Sequence, residues 1–332
     1  TGANTLTVSS SVASGAGNLT LTADTLTIGA NLSGTGALTL KPSTAGRLVS
    51  IGVGGAEFDL TDPEIAFLQN GFTSITIGNS TSGAVTVDTA SFVDPVTILS
   101  GSTVTLNAGS PTLSTTQDNA GISVTANGTI SVNGAVSANG TGTVTLTANG
   151  GTSNIALAAN IQSASNGTIT LTAGQNISRT AGTLGAAAST SLLVLSAGGA
   201  IGASGAAVTT DVGTIRASAA GDIYISEAGA VQLGDASGPI TTSGGLIDIV
   251  AGGAITFGNS VTTTGTGTSI SLNATSGGIA ISQNIAAANN ATITLTAGGT
   301  GSISRSAGTV GASGSTSLLV LSAGGAIGAS GA

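Results

Sequence analysis

Cysteine, methionine, histidine and tryptophan are all missing from this chain. Without cysteine there is no disulfide framework and no thiol chemistry. Without histidine or cysteine no activated nucleophile can be assembled, except around the single lysine, Lys41. Without methionine there is no initiator, so the chain is expected to be a mature protein or a segment of a longer one. Only five residues are basic: Lys41, Arg47, Arg179, Arg216 and Arg305. They are too few and too dispersed to neutralise a phosphate backbone, which excludes nucleic acid as a partner. The same scarcity argues against an anionic membrane surface. No apolar run approaches the ~18 residues of a spanning helix, so no membrane insertion is expected.

Charge as a whole is scarce, at 5% of residues, with a net charge of −8. A globular enzyme carries about a quarter charged residues. Scarce charge with 54 glycines in 332 residues suggests a linker, but the 40% apolar content and the mean hydropathy of +0.48 do not fit disorder.

What the chain does have is repetition. Ser189–Ala206 reads STSLLVLSAGGAIGASGA, and Ser315–Ala332 repeats it 126 positions later. Within that super-repeat, 121–206 and 246–332 are related copies, and a smaller unit recurs. Apolar–polar–apolar triplets such as Leu38-Thr39-Leu40, Val96-Thr97-Ile98 and Val104-Thr105-Leu106 read as short strands bounded by Gly, Asn and Ser. Aligned on the following turn, the first inward residues are Ile122, Val144, Ile169, Leu193, Ile215, Ile247, Ile270, Ile293 and Leu319. Their spacings run from 22 to 26, with one of 32 between Ile215 and Ile247. Strands and turns at this period, without helices, predict an all-β solenoid of roughly 22–26 residues per coil. Second and third apolar positions in each coil make it a three-sided parallel β-helix, and the whole of 1–332 is expected to form one continuous solenoid. An alanine corner follows each strand, and the Gly or Asn after it is expected to supply positive φ.

The segment 57–98 breaks the pattern. It holds Phe58, Phe67, Phe72 and Phe92 and six of the thirteen acidic residues. Thr61-Asp62-Pro63-Glu64 resembles a capping box, and Ile65, Leu68 and Phe72 follow at helical spacing. An irregular insertion with a short lateral helix near 62–70 is expected.

These residues carry a family resemblance. Leu19–Leu26 (LTLTADTL), the Asp62–Phe72 segment, Ile75-Thr-Ile-Gly and Phe92-Val-Asp-Pro resemble blocks of the very large filamentous-haemagglutinin-like bacterial surface proteins, which are β-strand-repeat adhesins of the two-partner-secretion or autotransporter type. The C-terminal half is similar to their repeats through ITLTAG and SLLVLSAGGAIG. The resemblance implies a right-handed parallel β-helix, export through an outer membrane, a secreted or cell-surface location, and a role as adhesin or fibre shaft.

Catalytic and metal chemistry find little to stand on. The densest acidic group is Glu57, Asp59, Asp62 and Glu64, read as a helix cap and solvated helix end. Asp222, Glu227 and Asp235 are read as solvated turns. No tandem calcium-binding repeat of the β-roll kind is present. No catalytic, cofactor-binding or metal-binding residue is therefore assigned, and no cofactor is expected. Ser123, Thr145, Thr170, Val194, Arg216, Asp248, Ser271, Thr294 and Val320 are expected to face outward in successive coils, with Arg216 and Asp248 as an exposed ion pair. The expected role is a non-catalytic shaft and contact surface of a filamentous adhesin. The alternative is a subunit of an extracellular fibre or sheath that stacks end to end. The partners expected are further copies of the chain and host or cell-surface glycans or proteins. Nothing at Ala332 reads as a cap, so the natural chain is expected to continue or another copy to dock there.

Overall fold

The computed structural model describes residues 4–186, 191–288, 290–311 and 318–328. Ser189, Ser315 and Ala332, the bounding residues of the duplicated stretch, and the expected uncapped end lie outside them, apart from Ala206. Contacts divide the chain into two compact units, 1–174 and 175–332. Each is a right-handed parallel β-helix.

In the first unit the long side of the coil is built from Ala37–Lys41, Ser74–Gly78, Val96–Ser100, Ile122–Ala126, Val144–Ala148 and Ile169–Ala173. Ile122, Val144 and Ile169 stack in one file, as the spacing predicts, and Val96 extends it. Unequal coil lengths are absorbed in the turns. Two shorter sides complete each coil, for example Ile130–Val132 and Val136–Ala138. Alternate residues point inward and are buried, because burying one face of each strand is what favours a period of two. Ala126, Ala148 and Ala173 stack as the narrow inner corner.

The glycine after that corner has a different reason from the one its sequence suggests. Among Gly174, Gly252, Gly298 and Gly299 only Gly299 has a positive φ, +59°. A Cβ on Gly174 would lie 1.9 Å from the carbonyl oxygen of Gly150, and one on Gly252 would lie 1.9 Å from that of Ala228. These corners need glycine because successive coils approach closely there.

The segment 57–98 joins the stack. Phe58–Thr61 pairs with Val49–Gly52, and four further strands follow: Ser74–Gly78, Val85–Val87, Ala90–Phe92 and Val96–Ser100. The helix is a single turn, Asp62–Ile65, shorter than the expected 62–70. The physical reason is competition for the backbone. Leu32 donates its N–H to the Phe67 carbonyl and accepts from Gln69 N–H, both at 2.9 Å, so Leu68 is drawn into a parallel bridge with Leu32. Phe58 and Phe92 are fully buried.

In the second unit the coil changes which side is long. Its first long strands are Leu192–Ala197 and Thr214–Ala219, paired in register. Next, Ile201 and Val208–Asp211, which belong to two different sides, both lie along one strand, Ile223–Glu227. At the following turn Thr214–Ala219 is matched by two strands, Val231–Leu233 and Ile240–Thr242. Two short sides have merged into one and a long side has split into two. The long side then continues through Ile247–Ala251, Ile270–Ala274, Thr292–Ala297 and Leu318–Ala323. Small loops leave the wall at each event, closed by antiparallel bridges between Ala203 and Ala206 and between Asp235 and Gly238.

This exchange corrects the register expected from sequence at one place. Ile215 stacks on Leu233, and Ile247 stacks on Ile223. The anomalous spacing of 32 came from joining residues that belong to different sides.

Candidate functional site

The acidic residues singled out in the sequence are nearly all engaged in holding backbone. Glu64 accepts from the Thr61 N–H and hydroxyl, both at 2.8 Å, and with its other oxygen from Ile28 N–H at 3.0 Å. Glu57 pairs with Arg47 at 2.9 Å, and Asp59 accepts from Gly55 N–H at 3.3 Å. Asp62 lies in the first turn of the helix. No group of three or more metal-ligating side chains occurs among the described residues.

Asp24, at the N-terminal end, takes hydrogen bonds from the Ser43 hydroxyl (2.7 Å), the Thr44 N–H and hydroxyl (both 2.8 Å), and sits 3.5 Å from Arg47. The Ser43 hydroxyl bond, with those from Thr44 and Arg47, outweighs burial and holds this carboxyl well below the usual carboxylate range.

Of the second acidic set, Asp222 accepts from Leu246 N–H at 2.9 Å. Asp235 pairs with Arg216 at 2.8 Å. The expected Arg216–Asp248 pair does not form, because Asp248 stacks against Tyr224 and the loop at the split side carries Asp235 to Arg216. Glu227 is no solvated turn. It is 3% exposed and occupies the inner corner filled by Ala251 in the next coil. It accepts from Thr210 Oγ1 (2.7 Å), Val212 N–H (3.2 Å) and Gly229 N–H (2.9 Å). Burial raises its pKa above the usual value, and the three donors oppose that shift.

The lateral surfaces carry hydroxyls in files. In the first unit Thr39, Thr76, Thr97, Ser123, Thr145 and Thr170 stack one above another. A second file, Thr125, Thr147 and Thr172, runs beside it. In the second unit the matching outward positions of the later coils are Asp248, Ser271, Thr294 and Val320.

The side where the two short strands merge holds a groove of about 410 Å³, around which an aromatic ring, a guanidinium and a carboxylate meet. Tyr224, the only tyrosine, stands half-buried in register with Asp248. Thr209 and Ser226 flank it, opposite one another on paired strands. The loop Gly202–Ala207 forms one wall, and Gly202 and Gly205 adopt φ of +69° and +78° there. Arg179 fastens its position, donating Nε to the Gly182 carbonyl at 2.7 Å and Nη1 to the Ala207 carbonyl at 3.5 Å. Burial, then the charges of Asp222 and Asp248, raise the Tyr224 pKa above its ordinary value, while a bond with Ser204 lowers it. The phenol is therefore neutral at physiological pH. The Asp248 carboxylate has no hydrogen bond or ion pair among the described residues.

Tyr224 was not among the residues singled out in the sequence. The signal that marks it is its uniqueness in a chain with 2% aromatics. No protein family, curated protein or solved structure matches this chain.

Proposed function

We propose that the protein is the structural shaft and contact surface of a secreted or cell-surface filamentous adhesin, with no catalytic role. The observation that carries this reading is the destination of the polar groups. Inward positions are mostly aliphatic, most carboxylates hold backbone or an arginine, and the outward positions of the first unit are files of hydroxyls. A stack of this kind gains stability from each added coil. Its outer face presents many weak, identical contacts, which suits multivalent adhesion. Immunogold microscopy of intact cells that make the protein tests the reading. Label along filaments outside the cell supports it, and label seen only after permeabilisation overturns it.

A second reading is an end-to-end fibre subunit. Leu319 and Leu321 are 45% and 37% exposed, whereas their identical counterparts Leu193 and Leu195 are at most 1% exposed beneath Thr214–Ala219. The copy at 318–323 presents the face that the chain's own next coil covers at Leu192–Ala197, and a continuing chain and a second copy would cover it alike. An axial repeat equal to one chain length in native fibres would favour this reading over the first.

A further inference from the structure

The groove at the merged side differs chemically from the hydroxyl files around it. Its floor is an aromatic ring beside a carboxylate that has no partner among the described residues. Its walls are hydroxyls and the backbone of a projecting loop, and its volume lies within the range of small-ligand sites. A tyrosine offers a flat apolar face with a polar edge and few rotamers to freeze. A carboxylate accepts two adjacent hydroxyls at once. The groove is also negative, through Asp222 and Asp248, and the guanidinium of Arg179 is already directed at two carbonyls. Two carboxylates against one guanidinium leave the groove net negative, which disfavours anionic ligands.

We propose that this groove is a binding site for a short neutral oligosaccharide, whose C–H face stacks on Tyr224 while neighbouring hydroxyls bond the Asp248 carboxylate and the Thr209, Ser226 and Ser204 hydroxyls. A cationic peptide side chain would also satisfy a ring and a carboxylate. It would leave the row of hydroxyls around them unused, and a sugar uses both. The site exists because the coil changes its long side there: the merger brings Tyr224 and Asp248 onto one five-residue strand pair and ejects the loop that walls them.

The chain contains one tyrosine and no tryptophan, so its intrinsic tyrosine fluorescence reports this site alone. The full chain is titrated with maltotriose, cellotriose, chitotriose and lactose, with sialyllactose and tetra-arginine as charged comparisons. At least one neutral sugar is expected to change the fluorescence saturably. Asp248→Asn, close in shape to the native residue, is expected to weaken that binding at least tenfold, and Thr170→Ala to leave it unchanged. Tyr224→Phe, followed by calorimetry, is expected to retain part of the affinity. Saturation by tetra-arginine alone, no response to any neutral sugar, or an Asp248→Asn variant that binds like the parent would each overturn the proposal. The shaft reading stands or falls separately: a protein on filaments that binds no sugar removes the groove proposal only, and a sugar-binding protein found only inside cells removes the shaft.

Discussion

Replacing Glu227 by alanine tests how a buried acid can occupy a corner where the next coil has alanine. The substitution removes the acceptor for the Val212 and Gly229 amides and for the Thr210 hydroxyl. A hydrogen bond to a charged group contributes about 1.5–3 kcal/mol, so exchange protection of the two amides is expected to fall roughly 10- to 150-fold. Global stability falls less, by about 1–3 kcal/mol, because the cost of burying the carboxylate disappears with it. Glu227→Gln separates the charge from the geometry. The folded pKa of Glu227 is raised above the unfolded value of about 4.3. The folded state therefore holds its proton where the unfolded state has lost it. Stability from this group is fully present below the unfolded pKa and is lost as pH rises through the folded one. Glu227→Gln should flatten that slope while keeping part of the amide protection. Hydrogen exchange followed by mass spectrometry or NMR between pH 4 and 8 reads both effects. Unchanged protection at Val212 and Gly229 in the alanine variant would refute the reasoning.

Asp24→Asn should remove a contribution of opposite sign: the native carboxyl, held low by Ser43, Thr44 and Arg47, stabilises the N-terminal coils above the unfolded pKa of about 3.9 and ceases to do so as pH falls. Acid unfolding of the parent and the variant should then converge at low pH, and a constant gap would contradict the assignment. Gly78→Ala should destabilise by about 2 kcal/mol or more, since φ is +80° and the new Cβ would lie 2.2 Å from the Leu99 carbonyl oxygen; a denaturation midpoint equal to the parent's would show that the turn relaxes freely. Arg216→Gln should cost at most about 1 kcal/mol, because the pair with Asp235 is partly exposed, and a larger loss in thermal unfolding would mean that the loop Asp235–Gly238 depends on it.

The coil stack was legible because its two signals are local. An apolar–polar–apolar triplet marks the strand, and the Ala–Gly pair after it marks the corner, so Ile122, Val144 and Ile169 align without any structure. The exchange of sides was not legible, because long and short sides use the same triplet. Ile215-Arg216-Ala217 and Ile223-Tyr224-Ile225 look equivalent, yet in the fold the first is split by the next coil and the second joins two sides. Glu227 was misread for a related reason: its donors come from residues 210, 212 and 229, and no local pattern announces that three of them converge. The helix after Thr61 had the right cap, but its length was decided by Leu32, a strand residue with a backbone to satisfy. Corner glycine was recognised, and its cause was missed, because a close approach between coils is invisible in a single chain segment.

The exchange of sides between 201 and 242 is the structural claim on which the groove and the corrected register both depend, and a chain without cysteine is well suited to test it. Ser226 lies in register with Val250, whereas the spacing of the sequence alone would place Ser218 there. Adjacent in-register residues lie about 4.8 Å apart, within reach of a disulfide or of the shortest bifunctional thiol reagent. Cross-linking of Ser226→Cys with Val250→Cys, and none of Ser218→Cys with Val250→Cys, is the result the account predicts. Cross-linking of the second pair without the first would contradict it.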